Sequence, residues 1–415
     1  MPVRAKEQAI MKTFRVAFIG TGGRSVCYAR PYEASDEIEI VALADPSAEN
    51  RKTMATRAGL AGGYAEHDCW REMLDAHPDL DGVVIGSPNF AHADQAVACL
   101  ERGIPVALEK PIATTVGDCE RIIDAERANG GRTLVGFVLR SSPFYARIFD
   151  LMSSGAIGQV CSIQADELPG LGVSSIMTRS SWRRYQETSG GSMLEKSCHD
   201  MDILNWVMQS RPTSLASYGG QLIFRPNPLL PDSCDDCKHA DSCDYYRKPV
   251  FSEHEDEGEE IMHQFIREDS RCIYNIDNDT ADVQSITIQY ANGAVANFML
   301  NFNCHGPQAS RNFHAVGQRG RIWGNLHEAK VFCYQNDTKK TTEYDASGDG
   351  SGHGGGDRLH ALELLRMMRE PAYRPDQNAQ AGYLSAMMCF ASDISRLEHR
   401  MVNFDYSQGV HVKLC

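Results

Sequence analysis

Three groups of residues have types and spacings that could do chemistry. The first is Glu109-Lys110-Pro111, which follows the apolar run Val106-Ala107-Leu108. Such a run reads as a buried parallel strand, and in open α/β sheets the carboxyl ends of the strands face the ligand crevice. The proline keeps Lys110 out of any helix. Its ammonium is therefore expected at the crevice, placed to hydrogen-bond a reacting oxygen and steady developing alkoxide charge during hydride transfer. The second group is Gly190-Gly191 followed by Glu195, His199 and Asp202. On a helix Glu195 and His199 share one face, and Asp202 lies three residues further on. A carboxylate beside an imidazole is expected to raise its pKa and orient it as a general base near neutral pH. Leu194, Cys198, Met201 and Met208 supply an apolar stripe to seat that helix.

The third group is Cys234-x2-Cys237-x5-Cys243, in a polar Pro- and Asp-rich insert near 226–275, with Cys272 following. Four thiolates make a tetrahedral set, and the two-residue spacing of the first pair suits a structural zinc. His239 or His263 could replace Cys272 as fourth ligand. Reduced surface thiols, disulfides and an iron–sulfur cluster are the other readings. The remaining cysteines of the fourteen are scattered through apolar stretches and read as reduced, buried thiols.

These groups need a scaffold, and the chain supplies one. Residues 14–20 (FRVAFIG) form an apolar run ending at a glycine turn, Gly20-Thr21-Gly22-Gly23-Arg24-Ser25. In a dinucleotide fold the first glycine makes the tight turn. The second lets the backbone approach a pyrophosphate seated on a helix N-terminus. Ser25 stands where a third glycine is usual. A second strand, 37–45, ends at Asp45. A carboxylate there accepts from the adenosine ribose hydroxyls and repels a 2′-phosphate, which favours NAD over NADP. Arg51 and Lys52 lie close enough to favour NADP instead. Further strands at 82–88, 105–111 and 133–140 alternate with helices at 23–35, 68–77, 90–102 and 115–129. That alternation indicates a parallel sheet. Beyond Arg140 the pattern changes. Helices are expected at 143–154 and 191–208, and a strand at CSIQADEL. Period-two runs follow at Ile286, Ile288, Tyr290 and at Phe298, Leu300, Phe302, which suit an open, mostly antiparallel sheet buried on one face. Two closing helices are expected near 357–369 and 378–399. The reading is thus α/β, with a dinucleotide-binding domain over 12–138 and an α+β domain over 139–415 that binds substrate and mediates oligomerisation.

The bulk numbers exclude some partners. With 41 Lys plus Arg against 55 Asp plus Glu, the net charge of −14 argues against nucleic acid. No run approaches a membrane span. The first fourteen residues lack the apolar core of a signal peptide, so a cytoplasmic location is expected, and Met11 could be the start. The acidic run Glu253 to Glu260 reads as a solvated loop.

Taken together, GTGGRS, ALAD ending at Asp45, SPNFAH (87–92), EKP (109–111), GFVLRSSP (136–143), GGSMLEKSCH (190–199) and HGGGD (353–357) resemble the glucose–fructose oxidoreductase/inositol dehydrogenase (Gfo/Idh/MocA) family, over about 14 to 400. The resemblance implies a Rossmann domain followed by an α/β domain with an open, mostly antiparallel sheet. It implies that Gly20, Thr21, Gly22, Gly23, Arg24, Asp45, Ser87, Pro88, Asn89 and His92 hold the cofactor. It places Glu109 and Lys110 between nicotinamide and substrate, and makes His199 the catalytic histidine. The family has Asp four residues before that histidine, whereas this chain has Glu195, which either reaches the reacting oxygen or leaves the dyad changed. Lys196 could instead pair with Asp200. Arg140, Trp182, Arg183 and His353 fall where the family lines its substrate pocket. The expected activity is reversible oxidation of a secondary hydroxyl on a sugar, glycoside or cyclitol such as inositol, with His199 as base and Lys110 on the oxyanion. No metal is called for in that step, because the cofactor and Lys110 supply the electrophilic help. The alternatives are a cofactor-recycling enzyme that uses transient oxidation for elimination or glycoside cleavage, and a non-catalytic dinucleotide-binding protein. Association through the open sheet, as a dimer or tetramer, is implied as well.

Overall fold

The computed structural model describes residues 12–246, 270–304, 306 and 310–415. Met11, the acidic run at 253–260 and His263 lie outside them. The apolar runs of the first third form β1 (Phe14–Ile19), β2 (Ile38–Ala44), β3 (Ala65–His67), β4 (Gly82–Ile85), β5 (Val106–Leu108) and β6 (Thr133–Val135). They pair in the order β3-β2-β1-β4-β5-β6, all parallel. Strands β4, β5 and β6 are buried at every position, as helices on both faces require. Those helices are α1 (Gly23–Glu33), α2 (Ala48–Ala58), α3 (Trp70–Ala76), α4 (His92–Glu101) and α5 (Val116–Ala128). Side-chain oxygens cap two of them, Ser47 for α2 and Thr115 for α5. The strand order reverses beside β1, so the crevice for a ligand opens between β1 and β4 at their carboxyl ends.

The second half begins with α6 (Pro143–Ser153) and β7 (Val160–Glu167). Then come α7 (Leu171–Arg179), α8 (Gln186–Ser189), α9 (Ser192–Met208) and β8 (Pro212–Gly220). After the insert follow β9 (Val283–Tyr290), β10 (Val295–Asn301), β11 (Asn312–Gly317), β12 (Gly320–Asn325), β13 (Lys330–Gln335) and β14 (Lys340–Asp345). The chain closes with α10 (Gly352–Arg369), α11 (Ala379–Glu398), β15 (Val402–Asp405) and β16 (Lys413–Leu414). The ten strands form one sheet in the order β14-β13-β12-β11-β7-β10-β9-β8-β15-β16. Pairing is antiparallel except between β7 and β10. In β9, Gln284, Ile286, Ile288 and Tyr290 are buried while Ser285, Thr287 and Gln289 face out. One face of the sheet is therefore open, and Tyr218 and Met299 are exposed on it.

The two halves are not packed independently. Helix α10 returns to the first sheet, where Ala361, Leu364, Leu365, Met367 and Met368 share a core with Phe14, Val16, Phe18, Tyr28 and Tyr32. Tyr32 seals that contact by donating to the Ala361 carbonyl at 2.8 Å. An ion pair sits at its upper end. The Arg24 guanidinium, at the start of α1, donates to both Asp357 oxygens at 2.9 and 3.0 Å and to Glu109 at 3.1 Å. Removing one partner from a buried pair strands the other charge. Asp357→Ala should therefore destabilise the protein by about 3 kcal/mol or more, read as a lower urea midpoint. An unchanged midpoint would show that the pair carries no stability.

Candidate active site

The glycine turn forms the floor of the crevice. Gly20 has φ +79°, and a Cβ there would stand 2.5 Å from the Ser87 nitrogen, so only glycine fits the approach of the β1 turn to the β4 turn. Ser25, in place of a third glycine, donates to the Gly20 carbonyl at 2.7 Å and so tightens the same turn. Gly22 is the N-cap of α1, with no side chain on its free amides, and Gly23 opens the helix. Asp45 ends β2 as expected. Its carboxylate accepts from the Thr21 and Ser47 amides at 2.9 and 2.8 Å, which fixes it at the mouth of the turn. Arg51 is not free to take a 2′-phosphate. It pairs with Glu66 at 2.8 Å and Asp68 at 2.7 Å, and also donates to the Asp45 carbonyl.

The β4 loop braces the crevice. Ser87 donates to Gln95 at 2.6 Å. His92 is fully buried, with its ring nitrogens facing the carbonyls of Pro111 at 2.8 Å and Ser87 at 2.9 Å. It is a strut between the β4 and β5 loops, not a side chain open to the crevice. The bond between Lys110 and Pro111, next to this strut, is cis. Pro88 leads into a short 3-10 turn whose first residue, Asn89, is buried. Asn89 donates to the Ser189 carbonyl at 3.0 Å and to Glu195 at 2.6 Å.

At the far side of the crevice, Gly191 has φ +90° and caps α9, bringing the start of that helix over the end of β5. Lys110 donates to the Glu195 carbonyl and lies 3.8 Å from its carboxylate. Arg183 donates to the same carboxylate at 2.9 Å and stacks on Trp182. Burial pushes the Glu195 pKa up, but Lys110, Arg183 and the Asn89 amide outweigh it, so the group is held below its ordinary value. Glu195 is a fixed anion between two cations.

This corrects the expected dyad. Glu195 and His199 lie on one helix, yet no hydrogen bond joins them among the described residues, and the His199 pKa is lowered, not raised. Burial comes first, followed by the charges of Lys110, His353, Arg311 and Lys196. His199 is therefore a neutral imidazole, and its Nδ1 has no partner among the described residues. Its ring meets Phe137 edge-on at 6.1 Å and lies 5.5 Å from the His353 ring. His353 does come over His199, tethered through Nδ1 to Asp357 at 3.1 Å. The Arg24–Asp357 pair thus links the glycine turn to the His199 side of the crevice.

Two further expectations need correction. Arg140 makes a two-pronged pair with Asp202, with Nε 2.7 Å from Oδ2, so it locks the 138–141 turn to α9. A guanidinium saturated in this way is not offered to a substrate. Lys196 pairs with Glu167 at 3.1 Å rather than with Asp200. Glu167 and Asp200 share Arg311, at 2.6 and 2.8 Å. Burial pushes the Asp200 carboxyl above its ordinary range, with Arg311 pulling it back and Glu167 adding to the rise. The sequence offered no signal for Glu167 and Arg311, which meet across strands far apart in the chain. Asp357 lay within the HGGGD motif, but nothing local tied it to Arg24.

Residues 14–137 match the model of an oxidoreductase family with an NAD-binding Rossmann fold, and residues 145–323 match a GFO/IDH/MocA C-terminal domain. YteT of Bacillus subtilis (strain 168), which is named as an oxidoreductase, is 28% identical over 351 residues, 77% of this chain and 79% of that one. Inositol 2-dehydrogenase of Acidothermus cellulolyticus is 29% identical over 224 residues, 53% of this chain and 61% of that enzyme. Levoglucosan dehydrogenase, solved with NADH and levoglucosan, superposes with a TM-score of 0.72 at 20% identity. It covers 94% of this chain and 99% of its own, and shows that the fold is shared.

The neutral buried imidazoles carry a pH signature. His360 is held down to about 4 by burial, and His199 is lowered as well. In the unfolded chain both protonate near about 6.5. Between those values the unfolded state binds more protons, so stability is full above about pH 6.5 and is lost as pH falls towards 4. Asp200, raised in the fold, contributes the opposite slope over the same window, so the imidazole contribution is read as a difference: the urea midpoint should fall more steeply with falling pH in the wild type than in His360→Phe. Equal slopes would mean that His360 is not held neutral.

Proposed function

The chain belongs to the Gfo/Idh/MocA family of NAD-binding oxidoreductases, and on that premise we propose that it reversibly oxidises a secondary hydroxyl of a sugar, glycoside or cyclitol with NAD. The observation that carries this reading is the buried, neutral His199, with an unpartnered Nδ1, beside the Lys110 ammonium at the carboxyl end of β5. The residues present fit a dinucleotide. Gly20 keeps the turn bare of side chain where a pyrophosphate passes, the α1 amides are free to receive it, and Asp45 stands where the ribose hydroxyls fall. When bound, the nicotinamide is the acceptor of the hydride.

His199 accepts the hydroxyl proton, a role for which a neutral imidazole is required from the outset. Lys110 donates a hydrogen bond to the oxygen that is gaining negative charge. Glu195 holds the Lys110 ammonium in place and balances Arg183, so the crevice does not carry two uncompensated cations. His353, Trp182 and Arg183 form the polar and aromatic rim in which a polyol is held. The names of two relatives, an inositol and a levoglucosan dehydrogenase, support the polyol class. The open face of the second sheet is the surface proposed for self-association into a dimer or tetramer.

NAD rather than NADP is the proposed cofactor, because Asp45 would repel a 2′-phosphate and Arg51 is already neutralised by Glu66 and Asp68. Lys52 is exposed on α2. Catalytic efficiency with NAD should exceed that with NADP by about tenfold or more, since ~1.4 kcal/mol of repulsion suffices. The reverse ranking would remove Asp45 from the assignment.

The activity is tested by following NADH formation over a panel of inositols, hexoses, anhydrosugars and glycosides. Lys110→Ala and His199→Ala should each lower turnover by about 10²- to 10⁴-fold, the usual contribution of an oxyanion donor or general base, while NAD binding changes little. Near-normal turnover in either variant would exclude that residue from the chemistry. Failure of every polyol would defeat the substrate class.

A further inference from the structure

The insert between β8 and β9 holds a cluster that the redox chemistry does not use. Ser233 and Arg271 form an isolated antiparallel bridge. On either side of it the Cys234 amide donates to the Ser270 carbonyl at 2.7 Å and the Cys272 amide to the Asp232 carbonyl at 2.8 Å. In a bridge of this kind alternate residues share a face. Cys234 and Cys272 therefore project to the same side, as diagonal neighbours about 7 Å apart. The Cys237 amide donates back to the Cys234 carbonyl at 3.1 Å, which closes a tight turn between the two cysteines. Cys243 follows a second turn closed on the His239 carbonyl at 2.9 Å. Arg179 Nη2 donates to the Tyr245 carbonyl at 2.7 Å and lies 3.8 Å from the Cys234 sulfur, which brings the 243–245 turn alongside the first thiol. All four are free thiols, and Cys234 and Cys272 are buried.

The surroundings suit an anionic centre. Arg179, at the end of α7, places its guanidinium 3.8 Å from the Cys234 sulfur. Phe224, Tyr245 and Tyr274 pack against one another, with ring centroids 5.2 to 6.3 Å apart, and the last two each lie two residues from a cysteine of the set. Among the described residues no three ligand side chains are spaced to hold a metal ion, so a tetrathiolate site here requires the four sulfurs to close in on binding. We infer that Cys234, Cys237, Cys243 and Cys272 bind one zinc ion as a tetrathiolate, and that this clip positions the Trp182–Arg183 segment at the active site.

The second half of that inference follows from what the insert holds. Arg179 donates to the Tyr245 and Arg271 carbonyls, at 2.7 and 3.2 Å. Tyr185 donates to Asp277, and the Gln186 amide donates to Asp279 at 2.7 Å. Residues 179–186 are thus tied at both ends to the cysteine insert, and between the ties lies Arg183, which reaches Glu195. A polar insert has little apolar surface to order itself, and a structural metal supplies that order directly.

The test is metal analysis of untagged protein purified without chelator, followed by hydrogen exchange before and after zinc removal with an organomercurial. About one zinc per chain is expected. Cys237→Ser and Cys243→Ser should reduce it below about a tenth of an equivalent. Zinc removal should speed amide exchange at 232–245 and also at 179–186, with NAD affinity unchanged. Wild-type protein with less than about a tenth of an equivalent, iron in place of zinc, or full zinc in the serine variants would overturn the site. Unchanged exchange at 179–186 would overturn its positioning role. None of these readouts depends on which alcohol is oxidised, so the zinc site can fail or stand apart from the proposed activity.

Discussion

The arrangement turns on one buried guanidinium. Arg24 stands at the first turn of α1, where a helix N-terminus already carries partial positive charge. Left alone there, a buried cation would be costly. Asp357 and Glu109 neutralise it from opposite sides, one from the returning helix α10 and the other from the end of β5. Three segments far apart in sequence meet at that point: the dinucleotide turn, the Lys110 strand and the His353 loop. The same carboxylate that holds Arg24 also tethers His353 over His199. Geometry at the reacting side of the crevice therefore depends on an ion pair at its cofactor side.

Burial, and after it the cations around α9, set the protonation state of His199. Lys110, Arg183, Lys196 and Arg311 all lie near α9. Glu195 answers the first two and Glu167 with Asp200 answers the others. His199 lies among them with no anion of its own. Any proton it took up would meet like charges in a site from which water is excluded, so it stays neutral. In the proposed role of base, an imidazole kept unprotonated in this way needs no carboxylate partner to activate it. That is why Glu195 can serve the lysine instead of the histidine.

Much of the scaffold was legible because local patterns decide it. The run at 14–19, the Gly20 turn and Asp45 gave the parallel sheet and its crevice from apolar runs and one positive φ. The alternation at 286–290 gave the half-buried sheet. Strand β3 and the hairpins β11 to β14 went unread, because their apolar positions are too few or too short to show a period. The site was legible in membership but not in wiring. Lys110, His199, Glu195 and His353 do meet. The partners of Arg24, Arg140 and Lys196 are chosen by tertiary contacts over tens to hundreds of residues, which no spacing rule reports.

The extra methylene of Glu195 explains the changed wiring at the start of α9. An aspartate one turn before the histidine would keep its carboxylate close to the helix surface. The longer side chain instead extends to Asn89 at 2.6 Å and Arg183 at 2.9 Å, on the β4 loop and the segment before α8. It thereby ties three walls of the crevice together. A shorter acid could not span them, and Arg183 would be left as an unpaired, mostly buried charge. Lys110 and Glu195 are thus consistent with the proposed crevice chemistry, with the carboxylate engaging Lys110, Asn89 and Arg183 rather than His199.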